Sequence, residues 1–521
     1  MNNIIAGLRS AQGWRRAGWA FLCGGVLSLS MPPYNLFPLL WIGLPFLIFL
    51  LQSAKNLWQA FVTGWIFAFG FFVFSLYWIA ASTMVDLKAF WWAIPFAVFG
   101  LPAFFALYYG IAAALAWRIG MAGVAGAVRF GLLWFAADDA RGHMFTGFPW
   151  NLTGYAWSGV LPVLQTASFA GIYGLSLLTC VGAALPASLI ANSPSARRAV
   201  AASFVLFVAL AAWGEVRLQT THVGTVPGVR LRVVQPDIPQ AGKWRISQRA
   251  EDFAGLLDLT AAPPAAGQKP PNYIIWPETA STYYLSEDAF HRDAIAARLS
   301  PDADLITGVI RRDLDGMGNT RFYNSMVVID AQGRLVAGYD KAHLVPFGEY
   351  MPFRKYIPIE ALAASGGDFT PGPGPRTLRI IGLPPFSPLI CYEAIFPGHV
   401  VVAADRPSLM INITNDGWYG DTIGPYQHFA IVRVRTIEEG LPLVRAANTG
   451  ISGIIDPLGR VNDRLGLEKR GFIDGSLPAP LPLTFYAKWR DMPALVAFIF
   501  LFLMTLAAPF LKRKMAASSR A

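Results

Sequence analysis

The first 215 residues of this chain are almost continuously hydrophobic, and this feature limits its possible folds more than any other. Apolar stretches predict helices near residues 17–31, 36–53, 57–80, 89–117, 122–138, 162–191 and 198–214. Several stretches are long enough to cross roughly 30 Å of hydrocarbon, while the first and the fifth are marginal in length. Because no small-residue cleavage site follows the first stretch, we interpret it as an uncleaved span. We therefore expect residues 1–215 to form a membrane bundle of about seven helices.

Composition supports a membrane protein and argues against binding of nucleic acid. Hydrophobic residues make up 54% of the chain and charged residues only 14%, which are too few to cover a soluble protein of 521 residues. The net charge is +10. Its basic residues collect beside apolar segments, as at Arg9, Arg15, Arg16, Lys512, Arg513 and Lys514. Such clusters are typical of topology signals, so we expect no nucleic-acid partner.

Basic residues recur in every second loop of the predicted bundle. They are Arg9, Arg15, Arg16, Lys55, Arg118, Arg129, Arg197 and Arg198. The positive-inside rule places these loops in the cytoplasm, so the chain leaves its seventh span on the opposite side. A last apolar stretch at residues 493–511 returns it to the basic cluster near the C terminus. We expect about eight spans, with residues 489–521 forming a helix and tail and with both termini cytoplasmic.

Residues 216–488 have a different pattern, in which charges and prolines return between short apolar runs. The predicted strands are residues 229–235, 273–276, 305–309, 325–330, 335–339, 388–391, 408–414, 443–447 and 453–456. The predicted helices are residues 247–260, 288–299 and 425–439. Strands that alternate with helices favour a domain of the α/β class.

Three of these strands end at, or one or two residues before, a chemically reactive residue. These residues are Glu278, Lys341 and Cys391. A cysteine attacks as its thiolate, and a reference pKa near 8.5 leaves only a few per cent ionised at neutral pH. A neighbouring carboxylate supplies a base, and an ammonium stabilises a developing oxyanion. The backbone N–H of Tyr392 is the expected second oxyanion donor. This pattern predicts nucleophilic catalysis by Cys391, with Glu278 as base and Lys341 as oxyanion group.

Each of the three residues also has a structural interpretation when it is taken alone. Cys391 fits a small buried apolar residue, Glu278 a helix cap and Lys341 a solvated loop lysine. The other cysteines, Cys23 and Cys180, lie in apolar segments, and no spacing is typical of a metal site. We therefore expect neither a metal nor another cofactor.

Glu, Lys and Cys in this chain order, each at the end of a strand, resemble the nitrilase (carbon–nitrogen hydrolase) superfamily. The runs WPE from residue 276, KAHLVPFGEY from 341, ICYE from 390 and NDGWYG from 415, together with the membrane pattern, resemble one subfamily. This is the apolipoprotein N-acyltransferase subfamily. The resemblance implies a four-layer αββα sandwich inserted before the last helix of a membrane bundle.

The resemblance also implies a two-step acyl transfer on the periplasmic side of a bacterial inner membrane. Cys391 takes an acyl chain from a phospholipid, typically phosphatidylethanolamine, and passes it to the α-amino group of the N-terminal diacylglyceryl-cysteine of an apolipoprotein. Glu349, Glu393 and Tyr392 are expected to support the site. Trp244 and Trp418 are expected in loops that meet substrate; core packing or an interfacial belt is the alternative for both.

Two other functions fit part of this pattern. A membrane-anchored amidase or nitrilase-type hydrolase would use the same three residues, but one anchor would suffice and seven additional spans would lack a purpose. A transporter with an extracytoplasmic binding domain would usually place ionisable groups within its spans, and these stretches contain almost none. Product analysis separates the hydrolase from the acyltransferase, and vesicle uptake tests transport.

Overall fold

The structure is a computed structural model that describes residues 2–264, 267–314, 316–356 and 368–518. It divides into two compact units. The helical unit comprises Met1–Ala80, Trp92–Thr221 and Lys488–Ala521, and the catalytic unit comprises Ala81–Trp91 and His222–Ala487. The predicted domain boundaries, after residue 215 between the membrane bundle and the α/β domain and after residue 488 before the last helix, stay a prediction.

The described residues form sixteen α-helices. In chain order they are α1 Asn2–Ser10, α2 Gly13–Leu27, α3 Leu40–Leu51, α4 Leu57–Leu76, α5 Ile79–Met84, α6 Leu87–Phe90, α7 Leu101–Ile119, α8 Gly123–His143, α9 Leu161–Leu164, α10 Ala167–Ala184, α11 Pro194–Thr220, α12 Ile246–Ala261, α13 Ala289–Ala296, α14 Gly424–Glu439, α15 Phe485–Trp489 and α16 Met492–Ser518.

Within the described ranges, four helical segments are long and apolar enough to cross a membrane: Leu57–Leu76, Leu87–Ile119, Ala167–Ala191 and Pro194–Thr220. Two shorter apolar helices lie at Phe37–Leu51 and Met492–Ala507. A bundle of apolar helices is thereby confirmed, while the number of eight spans stays a prediction. The side chains of the basic cluster at residues 512–514 lie outside the described residues.

A buried ion pair lies in the helical unit, where the sequence predicts almost no ionisable group. Asp138 and Arg141 on α8 are each 1% exposed. Arg141 Nη1 donates to the backbone oxygens of Phe148 and Trp150, each at 2.6 Å. Asp138 Oδ2 accepts from the backbone N–H of Thr153 at 2.9 Å. The pair therefore fastens the loop after α8 to the helix, and its charges are compensated locally.

The described residues of the catalytic unit form twelve strands in two six-stranded sheets. The strands are β1 Thr225–Gln235, β2 Tyr273–Ile275, β3 Asp304–Leu314, β4 Thr320–Ile329, β5 Leu335–Asp340, β6 Leu378–Ile380, β7 Leu383–Ile390, β8 Leu409–Thr414, β9 Leu443–Ala447, β10 Ser452–Ile455, β11 Val461–Leu465 and β12 Gly471–Pro478. The sheet orders are β12-β1-β2-β3-β4-β5 and β11-β10-β9-β8-β7-β6. In each sheet three central strands are parallel, β1-β2-β3 and β7-β8-β9, and the outer pairings are antiparallel.

The two sheets share one apolar core, and helices cover their outer faces. Ile275 and Ile306 of the first sheet join Ile411 of the second in a single buried cluster. Phe253 of α12 packs on the other face of the first sheet, and Phe429 of α14 on that of the second. The four-layer αββα sandwich is confirmed. Parallel strands carry their C-terminal ends to one edge, which is where the reactive residues lie.

Candidate active site

Cys391 lies where β7 ends and a tight turn begins. A 3-10 turn spans Cys391–Ile395 directly after Ile390, the last residue of β7. Cys391 has a φ of +50°, in the left-handed region that residues other than glycine seldom adopt. The residue is 6% exposed. A buried thiol on a strained turn is a feature that structures retain mainly at functional sites.

Glu278 and Lys341 lie side by side at the ends of β2 and β5. Lys341 Nζ is 3.7 Å from Glu278 Oε1, and the two side chains are 1% and 8% exposed. Asn324 Nδ2 donates to Glu278 Oε1 at 2.7 Å, and the backbone N–H of Asn415 donates to Glu278 Oε2 at 2.8 Å. Both oxygens of Glu278 are therefore held in place. The burial of Lys341 excludes its interpretation as a solvated loop residue.

Glu349 is a second carboxylate on the Lys341 ammonium. Glu349 Oε2 lies 2.8 Å from Lys341 Nζ and accepts the backbone N–H of Val345, also at 2.8 Å. Its Oε1 accepts from Asn324 Nδ2 at 2.8 Å, so one amide bridges the two carboxylates. Burial acts to lower the pKa of Lys341, but Glu349 and then Glu278 outweigh it and raise that pKa. Lys341 thus stays an ammonium at neutral pH.

The Cys391 thiol is neutral in the resting site. Burial raises its pKa to about 12, and the charge of Glu278 acts in the same direction while Lys341 opposes it. To act as a nucleophile, this thiol would first have to lose its proton to a base. Glu278 is the carboxylate whose charge acts most strongly on the thiol, and its two oxygens are already oriented by N–H donors.

Glu393 connects the turn after β7 to the loop after β5 through hydrogen bonds. Its Oε2 accepts the backbone N–H of Ile390 at 2.9 Å. Its Oε1 accepts the hydroxyl of Tyr339 at 2.6 Å and the backbone N–H of Ala342 at 2.8 Å. Burial raises the pKa of Glu393, although these hydrogen bonds lower it. Since Lys341 lies between two of these anchors in the chain, Glu393 sets the position of the lysine loop against the turn that carries Cys391.

The three aromatic residues singled out from the sequence have different surroundings. Tyr392 is buried at 5% exposure, and its ring centroid is 5.0 Å from that of Phe396. Trp244 is 37% exposed. Trp418 is half-buried within the 3-10 turn Asp416–Tyr419. Exposure is compatible with a substrate contact for Trp244, whereas Tyr392 is buried next to Cys391 in the chain.

Both parts of the chain are similar to families of known function. Residues 23–185 match the family model described as apolipoprotein N-acyltransferase N-terminal domain, and residues 230–481 match the model for carbon–nitrogen hydrolase. An apolipoprotein N-acyltransferase of Rhodopseudomonas palustris is 40% identical over 515 residues, which are 95% of this chain and 96% of the relative. The chain belongs to the apolipoprotein N-acyltransferase family.

The chain is also similar to a second relative and to a solved structure. The apolipoprotein N-acyltransferase of Bradyrhizobium diazoefficiens is 41% identical over 500 residues, covering 93% of each chain. An amidase from Nesterenkonia sp. of known crystal structure is 21% identical, with a TM-score of 0.35; it covers 53% of this chain and 98% of its own.

In this member of the apolipoprotein N-acyltransferase family, a buried lysine beside the candidate base had escaped the sequence analysis. Lys243 is 1% exposed, and its Nζ donates to Thr279 Oγ1 at 3.1 Å. Burial lowers the pKa of Lys243 to about 8, against the opposing charge of Glu278. Lys243 therefore connects the loop that carries Trp244 to the residue after the candidate base. The sequence gives no signal for this contact because 36 positions separate the partners.

A buried network under the NDGWYG run had also been missed. Asp416 Oδ2 accepts from Arg445 Nη2 at 2.7 Å, and Asp416 Oδ1 lies 2.9 Å from His428 Nδ1. Burial acts to raise the pKa of Asp416, but the charge of Arg445 and then His428 hold that pKa at about 2. Within the described ranges, no group of three or more His, Cys, Asp and Glu side chains is placed to hold a metal ion. The network instead fixes the turn that faces Cys391.

Proposed function

We propose that this protein transfers an acyl chain from a phospholipid to the free α-amino group of the N-terminal S-diacylglyceryl-cysteine of apolipoproteins. One observation carries the proposal: the similarity to an apolipoprotein N-acyltransferase, at 40% identity, covers 95% of the chain and so includes its membrane and catalytic parts. The expected donor is phosphatidylethanolamine. The protein is a bacterial inner-membrane protein, with residues 216–488 on the periplasmic side.

In the first half-reaction, Cys391 attacks the ester carbonyl of the phospholipid. Its proton passes to Glu278, a carbon–sulfur bond forms, and the oxyanion lies near the Lys341 ammonium and the backbone N–H of Tyr392. When the intermediate collapses, the carbon–oxygen bond breaks. The leaving alkoxide takes the proton from Glu278, so a lysophospholipid departs and a thioester remains on Cys391.

In the second half-reaction, the α-amino group of the apolipoprotein attacks the thioester. The same ammonium and N–H stabilise the second oxyanion, and the carbon–sulfur bond breaks as the amide forms. The proton lost by the amine passes through Glu278 to the departing sulfur. Glu278 thus acts as base and then as acid in each half-reaction, and the site returns to its resting state.

A mass-spectrometric experiment on the purified protein tests this sequence of steps. Phospholipid alone should add one acyl group to Cys391 and release about one lysophospholipid per active site. The reaction should then stall, because the thioester has no acceptor. A peptide with an S-diacylglyceryl-cysteine at its N terminus should discharge the adduct as an amide, with ping-pong kinetics. Cys391→Ala should give no adduct, whereas the control Cys23→Ala should behave as the unchanged protein.

The same experiment separates the transferase from a hydrolase. A hydrolase passes the acyl group to water, so free fatty acid would appear without any acceptor. Release of fatty acid at the rate seen with the acceptor peptide would overturn the proposal.

A further inference from the structure

We infer that Tyr419 is a further catalytic residue, whose hydroxyl donates a hydrogen bond to the sulfur of Cys391 when that sulfur carries negative charge. The inference rests on the proposed function only in naming the reaction that the sulfur performs. Tyr419 OH lies 3.9 Å from Cys391 Sγ, within reach of the long contacts that sulfur makes with O–H donors.

The chemistry of the two groups fixes the direction of this hydrogen bond. A thiolate has no proton, so it can only accept. Burial raises the pKa of Tyr419 well above its ordinary value, and the charge of Cys391 acts in the same direction. The phenol therefore keeps its proton throughout the reaction and serves as a donor, not as a base.

Buried hydrogen bonds hold the turn that carries Tyr419 in place. It begins at Asp416, which bonds to Arg445 on β9 and to His428 on α14, all three being 0% exposed. The backbone N–H of Gly417 donates to Asn415 Oδ1 at 3.3 Å. The tyrosine ring lies with its centroid 5.9 Å from that of His428. A donor fixed in this way needs little reorganisation when charge develops on the sulfur.

The other groups around the sulfur act on its negative charge in opposite directions, so a further hydrogen-bond donor can stabilise the thiolate. Glu278 and Asp416 raise the pKa of the thiol through their charges, whereas Lys341 and a hydrogen bond from Thr414 lower it. Lys341 is shared with two carboxylates, at 3.7 and 2.8 Å. A neutral O–H donor stabilises the attacking thiolate in the first half-reaction. It stabilises the departing thiolate in the second, when the carbon–sulfur bond breaks.

Replacement of Tyr419 by phenylalanine tests this role, because it removes the hydroxyl and keeps the ring. The rate of alkylation of Cys391 by iodoacetamide is measured against pH, with peptide-resolved mass spectrometry to exclude Cys23 and Cys180. Tyr419→Phe should slow alkylation about tenfold at each pH below the pKa of the thiol, which corresponds to an apparent pKa raised by about one unit. The control Tyr426→Phe, at a 41% exposed site on α14, should leave the profile unchanged.

Two results would overturn the inference. Equal rates for the two proteins at every pH would show that no hydrogen bond acts on the sulfur. Slower alkylation of Tyr419→Phe, with no acceleration by 3-fluorotyrosine at position 419, would show a packing role alone. Incorporation of 3-fluorotyrosine at position 419 is the second variant, since its stronger O–H donor should lower the apparent pKa of the thiol. Alkylation needs no lipid, so the outcome is independent of whether phospholipid acylates Cys391.

Discussion

At the scale of single residues, two charges act on the Cys391 thiol in opposite directions. Burial raises the pKa of the thiol most, the carboxylate of Glu278 raises it further and the ammonium of Lys341 lowers it, so the neutral form is favoured at rest. A neutral resting thiol is protected against adventitious electrophiles, and in the proposed mechanism its activation is confined to the moment when Glu278 takes the proton.

Glu278→Gln should therefore separate the ionisation of the thiol from catalysis. Because the charge of Glu278 raises the pKa of Cys391, its removal lowers that pKa and enlarges the thiolate fraction at pH 7. Alkylation by iodoacetamide should become faster, while acylation by phospholipid should fall by about 10²-fold or more since the base is lost. Mass spectrometry of both adducts measures the two rates. Slowing of both reactions would mean that Glu278 positions the thiol and does not take its proton. The control is Glu287→Gln at an exposed site, which should leave both rates unchanged.

Lys341→Ala should lower turnover by about 10²-fold or more, because an oxyanion donor is lost. It should also destabilise the protein by about 3–5 kcal/mol, because Glu278 and Glu349 stay buried without their counter-charge. The double variant Lys341→Ala/Glu349→Gln removes one of these charges. It should regain thermal stability without regaining turnover, as measured by thermal unfolding and product formation. Near-normal turnover of either variant would remove Lys341 from the mechanism.

At the scale of elements, the sequence predicted the central strands and the edge strand β5, and it missed the other three edge strands. The missed strands β6, β11 and β12 each lie at an edge of a sheet. β11 has no buried residue along Val461–Leu465, so it lacks the apolar run by which strands are detected. The central strand β8 is buried throughout Leu409–Thr414 and matches the prediction at its C-terminal end.

In the candidate active site, too, residues with a local sequence signal could be predicted, whereas contacts between distant parts of the chain could not. Glu278, Lys341 and Cys391 could be predicted because each follows an apolar run directly along the chain; their catalytic roles stay a prediction. Asn324, which bridges two carboxylates, lies within β4 and has no neighbouring signal. Contacts that join remote strands follow from the register of the sheets, which a single sequence does not specify.

Glu393 offers a test of how two strand ends are held together. Glu393→Gln replaces an acceptor oxygen by an amide nitrogen that faces N–H and O–H donors. We expect turnover to fall at least about tenfold together with a lower unfolding temperature, because a buried donor is left unpaired. Tyr339→Phe removes only one of the donors and should have a smaller effect on both measurements. Equal effects of the two variants would show that the tyrosine contact alone matters.

At the scale of the whole molecule, the substrates explain why catalysis and membrane helices share one chain. Both proposed substrates carry long acyl chains, and moving such a chain into water costs about 0.8 kcal/mol per methylene. A thioester is also open to hydrolysis, so a productive transferase needs a site from which water is excluded. From these two demands we expect the chemistry to lie at the membrane surface.

The same reasoning predicts how the chain is threaded through the membrane. The basic loops of residues 1–215 indicate a cytoplasmic N terminus and an odd number of spans before the catalytic unit. α11 ends at Thr220, so a reporter fused after this residue should lie outside the cytoplasm, and one fused after Ala521 should lie inside. Alkaline phosphatase and green fluorescent protein fusions at both sites measure this, because the first is active outside and the second fluoresces inside.

Exchange of Arg197 and Arg198 for glutamine should weaken the orientation of α11 without touching the active site. Location of both reporters on one side would refute the arrangement of seven spans followed by one.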